Sequence, residues 1–141
     1  MSEHDLKALY REYIDVVWNQ KNLAAMDRYF TVDTVENDPP PGLEPGLAGM
    51  KALFAMFRAA FPDAQVTVEK QVAEGDTVVA RVTFRGTQRG TFFGIPATNR
   101  HVTVTQTHIL RYADGKIAEH WGNSDDLSMM QQLGVIQMSG H

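Results

Sequence analysis

The sequence predicts an α+β domain in which helices pack on a strongly curved, mostly antiparallel sheet and enclose one conical pocket. Three observations carry this. Helical periodicity dominates the first 61 residues, strand alternation fills the stretch from Ala64 to about Ser124 before one short closing helix, and no strand–helix–strand alternation connects them. The last point argues against a dinucleotide-binding parallel sheet.

The first helix is expected from Asp5 to Asn19. Leu6, Leu9, Tyr10, Tyr13, Val16 and Val17 fall on one face, and Ser2 or Asp5 can cap its start. A short helix follows near Leu23 to Phe30, and Thr31 to Asn37 reads as extended. Pro39-Pro40-Pro41-Gly42 excludes helix and central strand, so the stretch to Gly49 is a loop long enough to edge a pocket. A third helix is expected from Met50 to Phe61, with Leu53, Phe54, Phe57 and Phe61 on one stripe, and Pro62-Asp63 ends it.

Strands come next. Val66, Val68 and Val72 lead to a turn at Glu74-Gly75-Asp76, and Val78 to Thr87 returns with clean alternation. Gly90 to Arg100 is a loop, His101 to Tyr112 a long strand, and Lys116 to about Ser124 its partner. Asp125 to Leu133 closes as a helix. One domain over residues 1–141 accounts for the whole pattern.

Composition narrows the function classes. A net charge of −4, with no run of Lys and Arg, argues against nucleic acid as partner. The chain has no cysteine, which removes disulfides, thiolate nucleophiles and cysteine–zinc sites. The polar start Met1-Ser2-Glu3-His4-Asp5 lacks a secretory signal, and no apolar run reaches membrane-spanning length. A cytoplasmic protein without a membrane partner is expected.

The last hairpin decides which polar side chains face a pocket. With Ala113-Asp114-Gly115 as a three-residue turn, Tyr112 pairs with Lys116, Leu110 with Ala118, His108 with His120 and Gln106 with Gly122. Gln106, His108 and His120 then share one face, and Trp121, Glu119, Asn123 and Asp125 the other. A two-residue turn would shift the partners by one and mix these groups. His108 is the first candidate for proton transfer and His120 its cross-strand partner, since neutral imidazole gives and takes protons near pH 7. A buried histidine satisfied by its neighbour is the plain alternative. No third ligand joins the two histidines, and His101 has the opposite parity, so no metal site is expected.

Several segments resemble the SnoaL-like polyketide cyclase family, many members of which are called ester cyclases. They are the glycine-punctuated stretch Gly86 to Asn99, the hairpin Arg111 to Trp121, the closing Gln131-Gln132-Leu133-Gly134, Val17 to Asn22 and Phe61-Pro62-Asp63. The resemblance implies the fold of nuclear transport factor 2 and ketosteroid isomerase, assembly as a homodimer through the open sheet, and no cofactor. It also implies a proton transfer beside a carbonyl that closes a ring by aldol chemistry or isomerises the substrate, a small hydrophobic carbonyl-bearing molecule. On this likeness Trp18, Asn37, Phe57, Phe61 and Gln106 are substrate-binding candidates. The family's acid falls at Gly122, which has no side chain. Asp125 is the nearest replacement, although an aspartate there also serves as a helix cap. Gly122 thus favours the alternative of a non-catalytic ligand-binding or scaffold dimer. The outward face expected to make a dimer carries Thr103, Thr105, Thr107, Ile109 and Trp121.

Overall fold

The computed structural model describes residues 1–137. The helices are α1 (Glu3–Tyr13), α2 (Met26–Tyr29), α3 (Gly46–Ala60) and α4 (Asp126–Leu133). The strands are β1 (Phe30–Glu36), β2 (Gln65–Glu74), β3 (Thr77–Thr87), β4 (His101–Ala113) and β5 (Lys116–Ser124). The strands form one five-stranded sheet in the order β1-β5-β4-β3-β2. β1 runs parallel to β5 and every other pair is antiparallel. This is the α+β cone expected from the sequence, with an open sheet. Among the described residues no helix is long and apolar enough to cross a membrane.

α1 begins as expected. Ser2 Oγ accepts the Asp5 N–H and Asp5 Oδ2 accepts the Ser2 N–H, which together satisfy two orphan donors of the first turn. The helix does not continue regularly to Asn19, because Ile14–Asn19 widens into a π-helix. Gln20 N–H donates to Asp15 O across five residues. The widened turns put Trp18 against Phe54, with ring centroids 4.7 Å apart. They also bring Asn19 to the backbone of β2, where its side chain donates to Val66 O and accepts from Val66 N–H.

α3 starts four residues before the expected Met50. Gly46 and Gly49 are poor helix formers, but Leu47 and Met50 are buried, and that packing outweighs local propensity. Its far end delivers Phe61 into the core, fully buried against Phe84 and Phe92.

The β4–β5 hairpin differs from its expected register. The turn has two residues, Asp114 and Gly115, both at positive φ (51° and 77°), so Ala113 pairs with Lys116 and Tyr112 with Ile117. Ala118 is then an extra residue on β5, a bulge, after which Arg111 pairs with Glu119. His108 therefore faces Gly122 rather than His120, Gln106 faces Ser124, and Leu110 faces His120. The turn and the bulge each slip the register by one residue in the same sense. Together they restore the parity of the strand, so the expected faces survive although the expected pairs do not.

Candidate functional site

The mouth of the cone opens into a cavity of about 450 Å³, a size that holds a drug-sized ligand. Its apolar wall comes from α1, the π-helical turns and α3, with Tyr10, Tyr13, Trp18, Phe54 and Phe57, and from Phe84 on β3. Phe93, in the loop after β3, closes one side within 6.0 Å of the Phe57 ring. Its polar wall comes from the adjoining strands.

Three rows of the sheet place the polar groups. In one row Ala80, His108 and Gly122 lie side by side on β3, β4 and β5, so the imidazole has the smallest neighbours on both flanks. In the next, Val78, Leu110, His120 and Glu36 are aligned across β3, β4, β5 and β1. Gln106 belongs to the third, beside Val82. His120 leans diagonally over Gly122, and its Nε2 lies 2.7 Å from His108 Nδ1. The rings are nearly parallel, with centroids 5.0 Å apart. His108 Nε2 lies 2.9 Å from Gln106 Oε1, and His120 Nδ1 lies 2.5 Å from Glu36 Oε2. Glu36 Oε1 accepts the Asp38 N–H. A continuous chain of hydrogen bonds thus runs Gln106–His108–His120–Glu36 along the cavity wall. Burial, aided by the neighbouring His120, pushes the His108 imidazole down to about 3, so it stays neutral.

Glycine at position 122 has a steric reason. A Cβ there would lie 2.8 Å from His120 Cε1 and 3.1 Å from His108 Nδ1. The volume an acid at position 122 would occupy is filled by the imidazole pair.

Of the residues singled out from the sequence, Trp18, Phe57, Gln106, His108 and His120 line the cavity. Phe61 does not; it is fully buried behind Phe84, one layer back, because it lies past the last turn of α3. Asn37 also lies outside the wall. Its N–H and side-chain amide both donate to His120 O, and the amide reaches Glu119 Oε2, so it fastens the end of β1 to β5. Asp125 caps α4 by accepting the Ser128 N–H and is not part of the lining, whereas Asp126 reaches the rim. Glu119 pairs with Arg111 on the outer face. Gln88 is fully buried and bonded to the carbonyls of Gly90, Ile95 and Pro96, which holds the loop that presents Phe93. Glu36 is the site residue sequence reasoning missed.

Among the described residues no group of three or more His, Cys, Asp or Glu side chains is arranged to hold a metal ion. A model of the SnoaL-like polyketide cyclases matches residues 7–133. The chain belongs to this family. Nogalonic acid methyl ester cyclase of Streptomyces nogalater is 32% identical over 114 residues, covering 77% of this chain and 83% of that one. Aklanonic acid methyl ester cyclase DnrD of Streptomyces peucetius is 35% identical over 101 residues, covering 67% of this chain and 70% of that one. Among solved structures, TsrD from Streptomyces laurentii superposes with a TM-score of 0.88 at 30% identity, covering 96% of this chain and 99% of its own. This SnoaL-like chain therefore shares the family fold along nearly its whole described length.

Proposed function

We propose that this SnoaL-like protein closes a ring in a neutral, flat polyketide ester by intramolecular aldol chemistry, without a cofactor. The observation that carries the reading is His108, neutral and buried in the cavity wall, with both ring nitrogens engaged in one hydrogen-bonded chain. Such a group takes a proton from a carbon beside a carbonyl and returns it to the alkoxide formed on ring closure. The Gln106 amide and the imidazole N–H are the groups suited to hold the oxygen on which charge develops. Trp18, Phe54 and Phe57 give an aromatic wall for a planar ligand. The empty position at Gly122 favours a non-catalytic scaffold less once a carboxyl group, Glu36, is found in the same cavity.

Charge supports the ester form of the substrate. Among the described residues the lining includes Glu36, Asp38 and Asp126 and no lysine or arginine. A free carboxylate in the cavity would meet like charge without a cationic partner. Aklanonic acid methyl ester and nogalonic acid methyl ester, the compounds named for the relatives, are the probes. Ring closure is expected for at least one, followed by chromatography and mass spectrometry. The corresponding free acid should bind on the order of tenfold or more weaker, about 1.4 kcal/mol or more. Failure to convert any such ester while binding it would move the assignment to a ligand-binding protein.

We also infer a cytoplasmic homodimer built on the outer face of the sheet. Ile109 lies directly between Val79 and Trp121 there, an apolar centre ringed by Thr105, Thr107 and Asn123. Sedimentation at micromolar concentration should give twice the chain mass, and Ile109→Asp should give the single mass. A wild-type monomer under those conditions would remove the inference.

A further inference from the structure

The hydrogen-bonded chain in the cavity can be read for its protons. Gln106 Oε1 only accepts, so His108 Nε2 must donate to it. A neutral imidazole carries one N–H, so His108 Nδ1 is an acceptor and His120 Nε2 donates to it. The ring of His120 then already has its N–H at Nε2. The contact between His120 Nδ1 and Glu36 Oε2 therefore holds one further proton, shared by a ring and a carboxyl group. Glu36 is held on both oxygens, by His120 and by the Asp38 N–H, and its side chain is only 10% exposed. It stands on β1, directly opposite His120 on β5, where a parallel pairing brings the two side chains together.

We propose that Glu36 is the proton store of this site, acting through His120 and His108 in place of the acid that position 122 lacks. The proposal rests on the ring-closing reading above and adds the residue that makes it work. In the discharged relay Glu36 is a carboxylate accepting from His120 Nδ1–H, His120 Nε2 accepts from His108 Nδ1–H, and His108 Nε2, with the Gln106 amide oxygen turned away from it by the entering substrate, offers a lone pair. The substrate C–H proton passes to His108 Nε2, and the bond pair stays on carbon as an enolate. His108 hands its Nδ1 proton to His120 Nε2, and His120 hands its Nδ1 proton to Glu36. The relay is then in its loaded form. The enolate carbon attacks the second carbonyl, a C–C bond forms, and the carbonyl π pair becomes an alkoxide. The alkoxide takes the His108 Nε2 proton, and the two transfers along the chain run back until Glu36 is a carboxylate again. The proton count closes, and no oxidant or second substrate is needed.

Glu36 is a positioning and proton-holding residue, since its contact is with His120. A neutral, buried His108 suits this role because a proton that cannot stay on it moves along the chain. The other titratable groups around Glu36 are Tyr13 of α1, whose hydroxyl burial holds well above its ordinary range, and the carboxylates of Asp38 and Asp126 at the rim.

The test uses Glu36→Gln and Glu36→Asp in the full chain, with two readouts. The first is proton NMR of the free, 15N-histidine-labelled protein. The wild type is expected to show a far-downfield proton bound to His120 Nδ1, and Glu36→Gln is expected to lose it. The second is turnover of aklanonic acid methyl ester. Glu36→Gln should lower kcat by about 10²–10⁴-fold with KM changed little, and Glu36→Asp, which keeps a carboxylic acid, should recover part of it. Retention of the downfield proton in Glu36→Gln, or kcat within a factor of two of wild type, overturns the proposal. If the wild type turns over no ester while the resonance behaves as expected, the proton store stands and the ring-closing reading falls.

Discussion

His108→Ala is expected to lower turnover by about 10²–10⁴-fold while the protein stays folded, because the variant removes the ring that meets the substrate and cuts the chain to His120. The ring is flanked by Ala80 and Gly122, so its loss opens the cavity rather than unpacking the helices. The paired control is Asp125→Ala. Asp125 accepts the Ser128 N–H at the start of α4, and removing that cap should cost about 1 kcal/mol of stability with activity kept. The measurement is kcat and melting temperature for both variants side by side. Full activity in His108→Ala with loss in Asp125→Ala would transfer the role to Asp125.

Gly122→Ala is the second variant with a large expected effect, although it adds one carbon. Its Cβ would fall 2.8 Å from His120 Cε1, and the ring cannot swing aside without leaving both His108 and Glu36. The expected result is a kcat loss of about 10²-fold, the cost of removing a proton-transfer partner. A stability loss of about 1–3 kcal/mol from overpacking should accompany it. Adding His120→Ala makes room for the new methyl group, so the double variant should regain melting temperature but not activity. A Gly122→Ala enzyme with normal turnover would show that the imidazole pair can part without consequence.

The sequence makes one side of this site readable and hides the other. Gln106, His108 and His120 fall on one face because side chains alternate, and alternation is local. Their cross-strand partners were not readable. The Asp114-Gly115 turn is compatible with two loop lengths, and the Ala118 bulge has no sequence mark beyond two consecutive buried residues, Ile117 and Ala118. Glu36 stayed hidden for a different reason. Nothing in Thr31 to Asn37 says that this strand runs parallel to β5, and the polar residue the family likeness marks there, Asn37, lies one position on and turns to the other side, toward Glu119. Phe61 was misplaced through a helical stripe extended past the end of α3. Phe57 is legible because the apolar stripe of α3 points it at the sheet, whereas Trp18, in the π-helical turns beyond the regular period of α1, is legible only through the family likeness.

The bulge at Ala118 also constrains how this hairpin can change over generations. It works as a parity counter: beside a two-residue turn, the one extra residue on β5 sets which face His120 takes. A lone deletion or insertion anywhere between Arg111 and Glu119 turns His120 to the outside and Trp121 to the inside in a single event. The hairpin can therefore change length without reversing its two faces only through compensated pairs of changes.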